Sequence, residues 1–302
     1  MKDFSFNNHD YKVFCMADVK EAKAVIQIIH GAHEYIERYR QFAEAMNQKG
    51  FICIGIDHLG HGTNATDTDG VVTFAENDGR KIVLEAQKAL LSKIKEEYDL
   101  PVVVLGHSMG SFIFRSILPD ISNDIDAAII SGTTHSSKAE YFGANTLAST
   151  IKLFKGSSYS SNFLNYITFD SLSDKMLKKG EIEHSYEWLT TDKSFYSSIK
   201  ADKYLHKSFS ISANLDIFSW LKMISSKEHF QIGNKDLPIY IMSGGRDPLN
   251  YGKVKKVYQM YLDGGYKDVL LKEYPNGRHE MLNETNRLHV FDDIAQFISN
   301  KI

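Results

Sequence analysis

Cysteine is nearly absent from this 302-residue chain, which has only Cys15 and Cys53. Two thiols cannot build the disulfide framework of a small secreted domain. Cys53 lies inside the apolar run Phe51-Ile52-Cys53-Ile54-Gly55-Ile56 and reads as a buried core residue. Charge of one sign is also lacking. The formal net charge is −3 and there is no long basic run, so no electrostatic footprint points to nucleic acid. No apolar stretch approaches the roughly 20 residues that span a bilayer. The first ten residues lack the apolar centre of a secretory leader. These absences read as a soluble protein of a reduced, cytoplasmic compartment. With 43% hydrophobic residues the chain can bury a large core, and α/β chains of roughly 250 residues often form one domain.

The first half alternates short apolar runs with helical patterns. Tyr11 to Met16, Ala24 to Ile29, Phe51 to Ile56, Val102 to Leu105 and Ala127 to Ser131 read as strands. Arg38 to Lys49 and Lys81 to Tyr98 read as helices. Such alternation specifies a mostly parallel sheet with helices on both faces. From about Gly132 to Glu228 strand-like runs vanish and proline is absent, while Ser, Lys and aromatics accumulate, including both tryptophans. A structureless loop of that length is implausible in a compact domain, so residues 133–228 read as a helical cap inserted into a body of residues 1–132 and 229–302. Pro238 to Gly244 and Asp268 to Tyr274 then resume the strands, with helices from Tyr251 to Leu262 and from Asn286 to Ser299.

One junction carries chemistry. Gly106-His107-Ser108-Met109-Gly110 follows the buried run Pro101 to Leu105 and precedes Ser111 to Leu118, a short helix that Pro119 should close. A serine between two glycines at a strand-to-helix reversal is a nucleophile elbow. The turn leaves no room for a Cβ at its flanks. A serine hydroxyl is a weak nucleophile and needs a base to take its proton. Two later strands are followed by Gly245-Arg246-Asp247-Pro248 and by Pro275-Asn276-Gly277-Arg278-His279-Glu280. Asp247 and His279 therefore stand at carboxyl ends of strands, where open α/β sheets place their sites. In that order, His279 serves as general base and then general acid, and Asp247 orients it. The developing oxyanion needs two amide donors. One is Met109, after the serine; the other should come from the turn His30-Gly31-Ala32-His33-Glu34-Tyr35.

Four stretches carry a family resemblance: residues 30–35 with Glu37-Arg38-Tyr39; Asp57-His58-Leu59-Gly60-His61-Gly62; Gly106 to Gly110; and Gly277 to Glu284. The chain resembles the monoglyceride lipase and lysophospholipase group of the α/β-hydrolases. The resemblance implies an α/β-hydrolase fold with a helical cap after the sixth strand, a triad of Ser108, Asp247 and His279, and oxyanion donors at Ala32 and Met109. It implies hydrolysis of a small-molecule carboxylic ester carrying one acyl chain, without metal or cofactor. His33 stands where the group usually has a small residue, which places it among the substrate-binding candidates.

The cap is where substrate choice is decided. Trp188, Phe195 and Phe218 are candidates for an acyl channel, among aromatics that include Phe142, Phe154, Phe163 and Trp220; most aromatics at helical spacing serve a core instead. Exposed apolar cap residues are compatible with transient contact with lipid surfaces, although no strongly basic amphipathic helix supports stable anchoring. A thioesterase, acyltransferase or aminopeptidase would use the same acyl-enzyme. An aminopeptidase also needs an acid for the substrate ammonium, for which Glu140, Glu181, Glu183 and Glu187 are available. A ligand-binding protein on a hydrolase scaffold is the reading from another class, and a complete triad disfavours it. Nothing in the sequence specifies an oligomeric state.

Overall fold

A computed structural model describes residues 1–65, 70–202, 204, 205 and 207–302. Seven strands form the central sheet: β1 (Val13–Met16), β2 (Ala24–Ile29), β3 (Phe51–Ile56), β4 (Val102–His107), β5 (Ala127–Ser131), β6 (Ile239–Gly244) and β7 (Val269–Tyr274). Their spatial order is β7-β6-β5-β4-β2-β3-β1. All neighbours are parallel except β1, which runs antiparallel to β3. The central strands are continuous apolar runs because both faces of the sheet are covered. Along β2, Val25 and Ile29 join one core while Ile26 and Ile28 join the other; Val102 and Val104 of β4 separate in the same way from Val103 and Leu105.

The helices Gly79–Glu97, Met109–Ile121 and Lys253–Asp263 cover the first face, and Arg40–Gln48 and Arg287–Ser299 cover the second. Strand order reverses between β2 and β4. The turn at residues 30–35 and the elbow therefore leave adjacent strand ends at the switch point, where such sheets open a crevice.

Several boundaries differ from the sequence reading. The Tyr11 to Met16 run divides: His9–Tyr11 pairs with Phe4–Phe6 in an antiparallel hairpin, and Val13–Met16 enters the sheet. In this sheet residues 133–228 follow the fifth strand, Ala127–Ser131, rather than the sixth. Arg38 belongs to a 3₁₀ turn, Ile36–Tyr39, and the α-helix starts at Arg40. The elbow helix does not stop at Pro119 but continues to Ile121. A proline inside a helix removes the donor that would pair with the carbonyl four residues earlier, at a cost of about 3 kcal/mol. Here that carbonyl, Arg115 O, accepts a hydrogen bond from His229 Nε2 at 2.7 Å.

Residues 133–228 hold the helices Lys138–Lys155, Ser171–Lys178 and Ile211–Met223 with shorter turns between them. A reciprocal Ser137–Glu140 capping box starts the first. Strand structure is not wholly lost: Ser208–Phe209 pairs in parallel with Val71–Val72. Arg115, fully buried, spans both ends of the segment, donating to Thr133 Oγ1, Thr134 O and Ile224 O, each at 2.9 Å. Phe142, Phe154 and Phe163 are exposed, whereas Trp220 is fully buried in the main core.

Candidate active site

Ser108 occupies the turn between β4 and the helix Met109–Ile121 with φ +53° and ψ −123°. A non-glycine residue at positive φ is strained and persists where surrounding packing enforces it. Gly110 supplies part of that enforcement: a Cβ there would collide with the backbone oxygens of Ile29 and His30 at the end of β2. Gly31 is hemmed in on the other side, where a Cβ would lie 2.9 Å from the Ser108 Cβ. The elbow and the turn after β2 are thus packed backbone to backbone.

The structure brings together Ser108, His279 and Asp247. His279 Nδ1 lies 2.9 Å from Asp247 Oδ2, and Nε2 lies 2.8 Å from Ser108 Oγ. With the Nδ1 proton donated to Asp247, Nε2 accepts from the serine hydroxyl. Asp247 Oδ1 accepts from the Leu249 amide at 2.9 Å, which fixes the carboxylate plane. Asp247 and His279 are both buried. Burial opposes a charged imidazole, but the Asp247 charge and hydrogen bond, with Glu280 and Glu34 further off, outweigh it and raise the His279 pKa.

Around this chain lies a cavity of about 230 Å³. Ala32 and Met109 both line it beside Ser108. Met109 opens its helix, so its N–H has no intrahelical acceptor. His33 and Trp188 also line the cavity. The His33 ring meets Phe169 edge-on at 4.5 Å and its Nδ1 lies 3.2 Å from Leu205 O. Phe195 and Phe218 are not among the lining residues. Phe195 carries the Arg287 guanidinium 5.2 Å from its ring, and Phe218 is buried in the main core. On the helix Ile211–Met223 the cavity is met instead by Ile217 and Leu221, one turn apart on a single face. Phe218 points elsewhere for the same reason. The remaining apolar wall includes Phe112, Phe169 and Ile199.

The histidine-rich motif after β3 supports the site from behind. Asp57 accepts from the Ile36 amide at 2.7 Å and the Thr63 amide at 2.8 Å. The His58 amide donates to His30 Nε2, and His58 Nε2 lies 2.9 Å from His30 O. His30, His58 and His61 are buried, and burial above all lowers their pKa values, that of His61 to about 3. His107, between the elbow glycine and Ser108, is similarly lowered to about 3, by burial first and the neighbouring His279 second.

Two features escaped the sequence reading. Arg38 grips Glu280 with both terminal nitrogens, at 2.8 and 2.9 Å, and reaches Glu34 at 3.3 Å. Glu34 in turn accepts from the Gly31 amide and from Tyr39 Oη. The turn after β2 and the turn after β7 are therefore joined by buried charge. Second, residues 187–192 are fastened to the His279 turn. The amides of His279 and Glu280 donate to Trp188 O and Leu189 O at 3.4 and 2.7 Å, and Thr190 Oγ1 donates to Asn283 O at 2.7 Å.

A family model described as Hydrolase_4, serine aminopeptidase S33, matches residues 20–286. The chain belongs to this family. Among curated relatives, this Hydrolase_4 member is 24% identical to phospholipase YtpA of Bacillus subtilis (strain 168), over 92% of the chain and 96% of that protein. It is 32% identical to a monoglyceride lipase homolog of monkeypox virus, where the match spans 39% of the chain and 41% of the relative. Among solved structures, a thermostable carboxyl esterase from Bacillus coagulans in complex with glycerol superposes with a TM-score of 0.89 at 22% identity, covering 99% of this chain and 97% of that one. That likeness establishes the α/β-hydrolase fold. Among the described residues, no helix is long and apolar enough to cross a membrane.

Proposed function

We propose that this Hydrolase_4 member is a serine hydrolase cleaving carboxylic esters of single-acyl-chain lipids, of monoacylglycerol or lysophospholipid type, through an acyl-enzyme on Ser108. The hydrogen-bonded chain Ser108–His279–Asp247, opening into a largely apolar cavity, carries this reading. Ser108 Oγ attacks the ester carbonyl as His279 Nε2 takes its proton. The amides of Ala32 and Met109 receive the oxyanion. Collapse of the tetrahedral intermediate breaks the bond to the alcohol, which takes the proton back from His279. Water, deprotonated by the same imidazole, then releases the fatty acid. Asp247 holds the imidazole in the required tautomer throughout. Residues 133–228 act as the cap, and its face with Phe169, Ile217 and Leu221 receives the acyl chain. The relatives named as phospholipase and monoglyceride lipase homolog support the lipid-ester class. Ser108→Ala should abolish hydrolysis of nitrophenyl esters and labelling by a fluorophosphonate; either activity surviving in the variant would sink the proposal.

An aminopeptidase reading has one observation in its favour besides the family description. Asp170 lines the cavity, whereas Glu140, Glu181, Glu183 and Glu187 are not among its lining residues. An acid there could hold a substrate ammonium. Faster turnover of aminoacyl arylamides than of medium-chain monoacylglycerol esters, lost in Asp170→Asn, would favour it.

A further inference from the structure

We propose that Trp188 is a positioning residue of this site: its indole, clamped over the His279 ring, stabilises the imidazolium that forms as Ser108 attacks. The inference rests on the acyl-enzyme reading above and adds a role to a residue first singled out only as an acyl-channel candidate. Three observations carry it. The two rings are stacked, with centroids 4.6 Å apart and planes 30° apart, so the ring that gains a proton in the reaction lies over the π-face of an indole. Indole is the strongest cation–π acceptor among the side chains.

The stacking is also built rather than incidental. Arg278, buried and adjacent to His279, donates Nη1 to Glu187 O and to Thr190 O at 3.3 Å, and Nη2 to Glu181 O at 3.2 Å. The amides of His279 and Glu280 hold Trp188 O and Leu189 O. Backbone on both sides of Trp188 is thus tied to the turn that carries His279. Third, Trp188 is only half-buried and lines the same cavity as Ser108 and His279, so the indole stands at the site itself and not in a core.

Among the described residues, the other charged or titratable groups facing His279 include Asp247 from the turn after β6, Glu280 on its own turn, Glu34 from the turn after β2 and His107 from β4. None is altered by a change at Trp188. Trp188→Leu keeps an apolar cover and removes the π-face; Trp188→Phe keeps a ring.

The chain has only two tryptophans, and Trp220 is fully buried in the main core. Replacing both by fluorinated tryptophans weakens the π-face of Trp188 at nearly constant shape and gives a second test should the leucine variant fail to fold, with the urea midpoint of each fluorinated protein checked against the parent. The readout is the pH dependence of Ser108 phosphonylation by a small alkyl fluorophosphonate, which does not reach along an acyl channel. In Trp188→Leu the acid limb should move down by about half to one pH unit and the plateau rate fall about 3- to 10-fold. Trp188→Phe should recover most of both, and successive fluorination should shift the limb downward in graded steps. An unmoved or upward-moving limb with fluorination, or equal losses in the Leu and Phe variants, would overturn the role of the indole. Persistent labelling of Ser108→Ala would instead overturn the acyl-enzyme reading beneath it.

Discussion

Arg38→Gln tests whether the two turns that flank Ser108 are held by buried charge. Arg38 reaches Glu280 with two hydrogen bonds and Glu34 with a longer one, and the three side chains are 11%, 6% and 6% exposed. One guanidinium cannot neutralise two carboxylates. Burial above all pushes the Glu34 pKa up, with the Glu280 charge adding to it against Arg38. Burial also opposes the charge on Glu280, but the Arg38 charge and hydrogen bonds outweigh it and hold that carboxyl below its ordinary value. Glutamine at position 38 leaves the Glu280 charge without its cation, and breaking a buried pair in this way costs about 3–5 kcal/mol. Against a typical domain stability of about 5–15 kcal/mol, the variant should fold but be visibly weakened.

The assay is urea unfolding at several pH values, read as a lower midpoint at unchanged slope. The sign follows from linkage. In the parent the folded-state pKa of Glu280 lies below the unfolded value, so its contribution is complete above about pH 4.5 and is lost as pH falls below that. In the variant the folded-state value rises above the unfolded one, and the penalty for ionising the carboxyl grows with pH. The deficit should therefore be larger at pH 8 than at pH 5. A loss below about 1 kcal/mol at pH 8, typical of an exposed pair, or a deficit that fails to shrink toward pH 5, would refute the reasoning.

Asp247→Asn should lower kcat by roughly 10³- to 10⁴-fold with little change in KM, because the amide stabilises the wrong imidazole tautomer; a loss under tenfold in steady-state ester hydrolysis would remove Asp247 from the mechanism. His30, His58, His61 and His107 are buried with lowered pKa values, so the unfolded chain binds more protons below about pH 6.5 and stability should fall with pH there. Between pH 7.5 and 5.5 the four together should cost on the order of 5 kcal/mol, and a flat urea midpoint across that range would contradict their burial as neutral rings. His229→Leu should destabilise by about 1–3 kcal/mol by leaving the Arg115 carbonyl beneath Pro119 unpaired; Pro119→Ala in the same background should recover part of the loss in thermal unfolding, and no recovery would disconnect the two residues.

The legible parts of this protein were those whose physics is local. A run such as Val102 to Leu105 reads as a doubly covered strand, and Gly106 and Gly110 stand where the flanks of the turn leave no room for a Cβ. Strand ends then placed Asp247 and His279 where the structure brings His279 within hydrogen-bonding distance of both Asp247 and Ser108. The misreadings share the opposite character. Pro119 reads as a helix stop until His229, 110 positions later, satisfies the freed carbonyl. Phe218 reads as a channel residue as readily as Ile217, because composition does not say which face of a helix turns toward a cavity.

By itself, then, the sequence determined the sheet, the sharp turn at Ser108 and the order of its partners, since backbone sterics and the burial of apolar runs act over a few neighbouring residues. Tertiary structure alone decided which side chains wall the cavity, that Arg38 joins Glu34 to Glu280, and that Trp188 lies over His279. Those contacts join residues far apart in the chain, so no local pattern announces them.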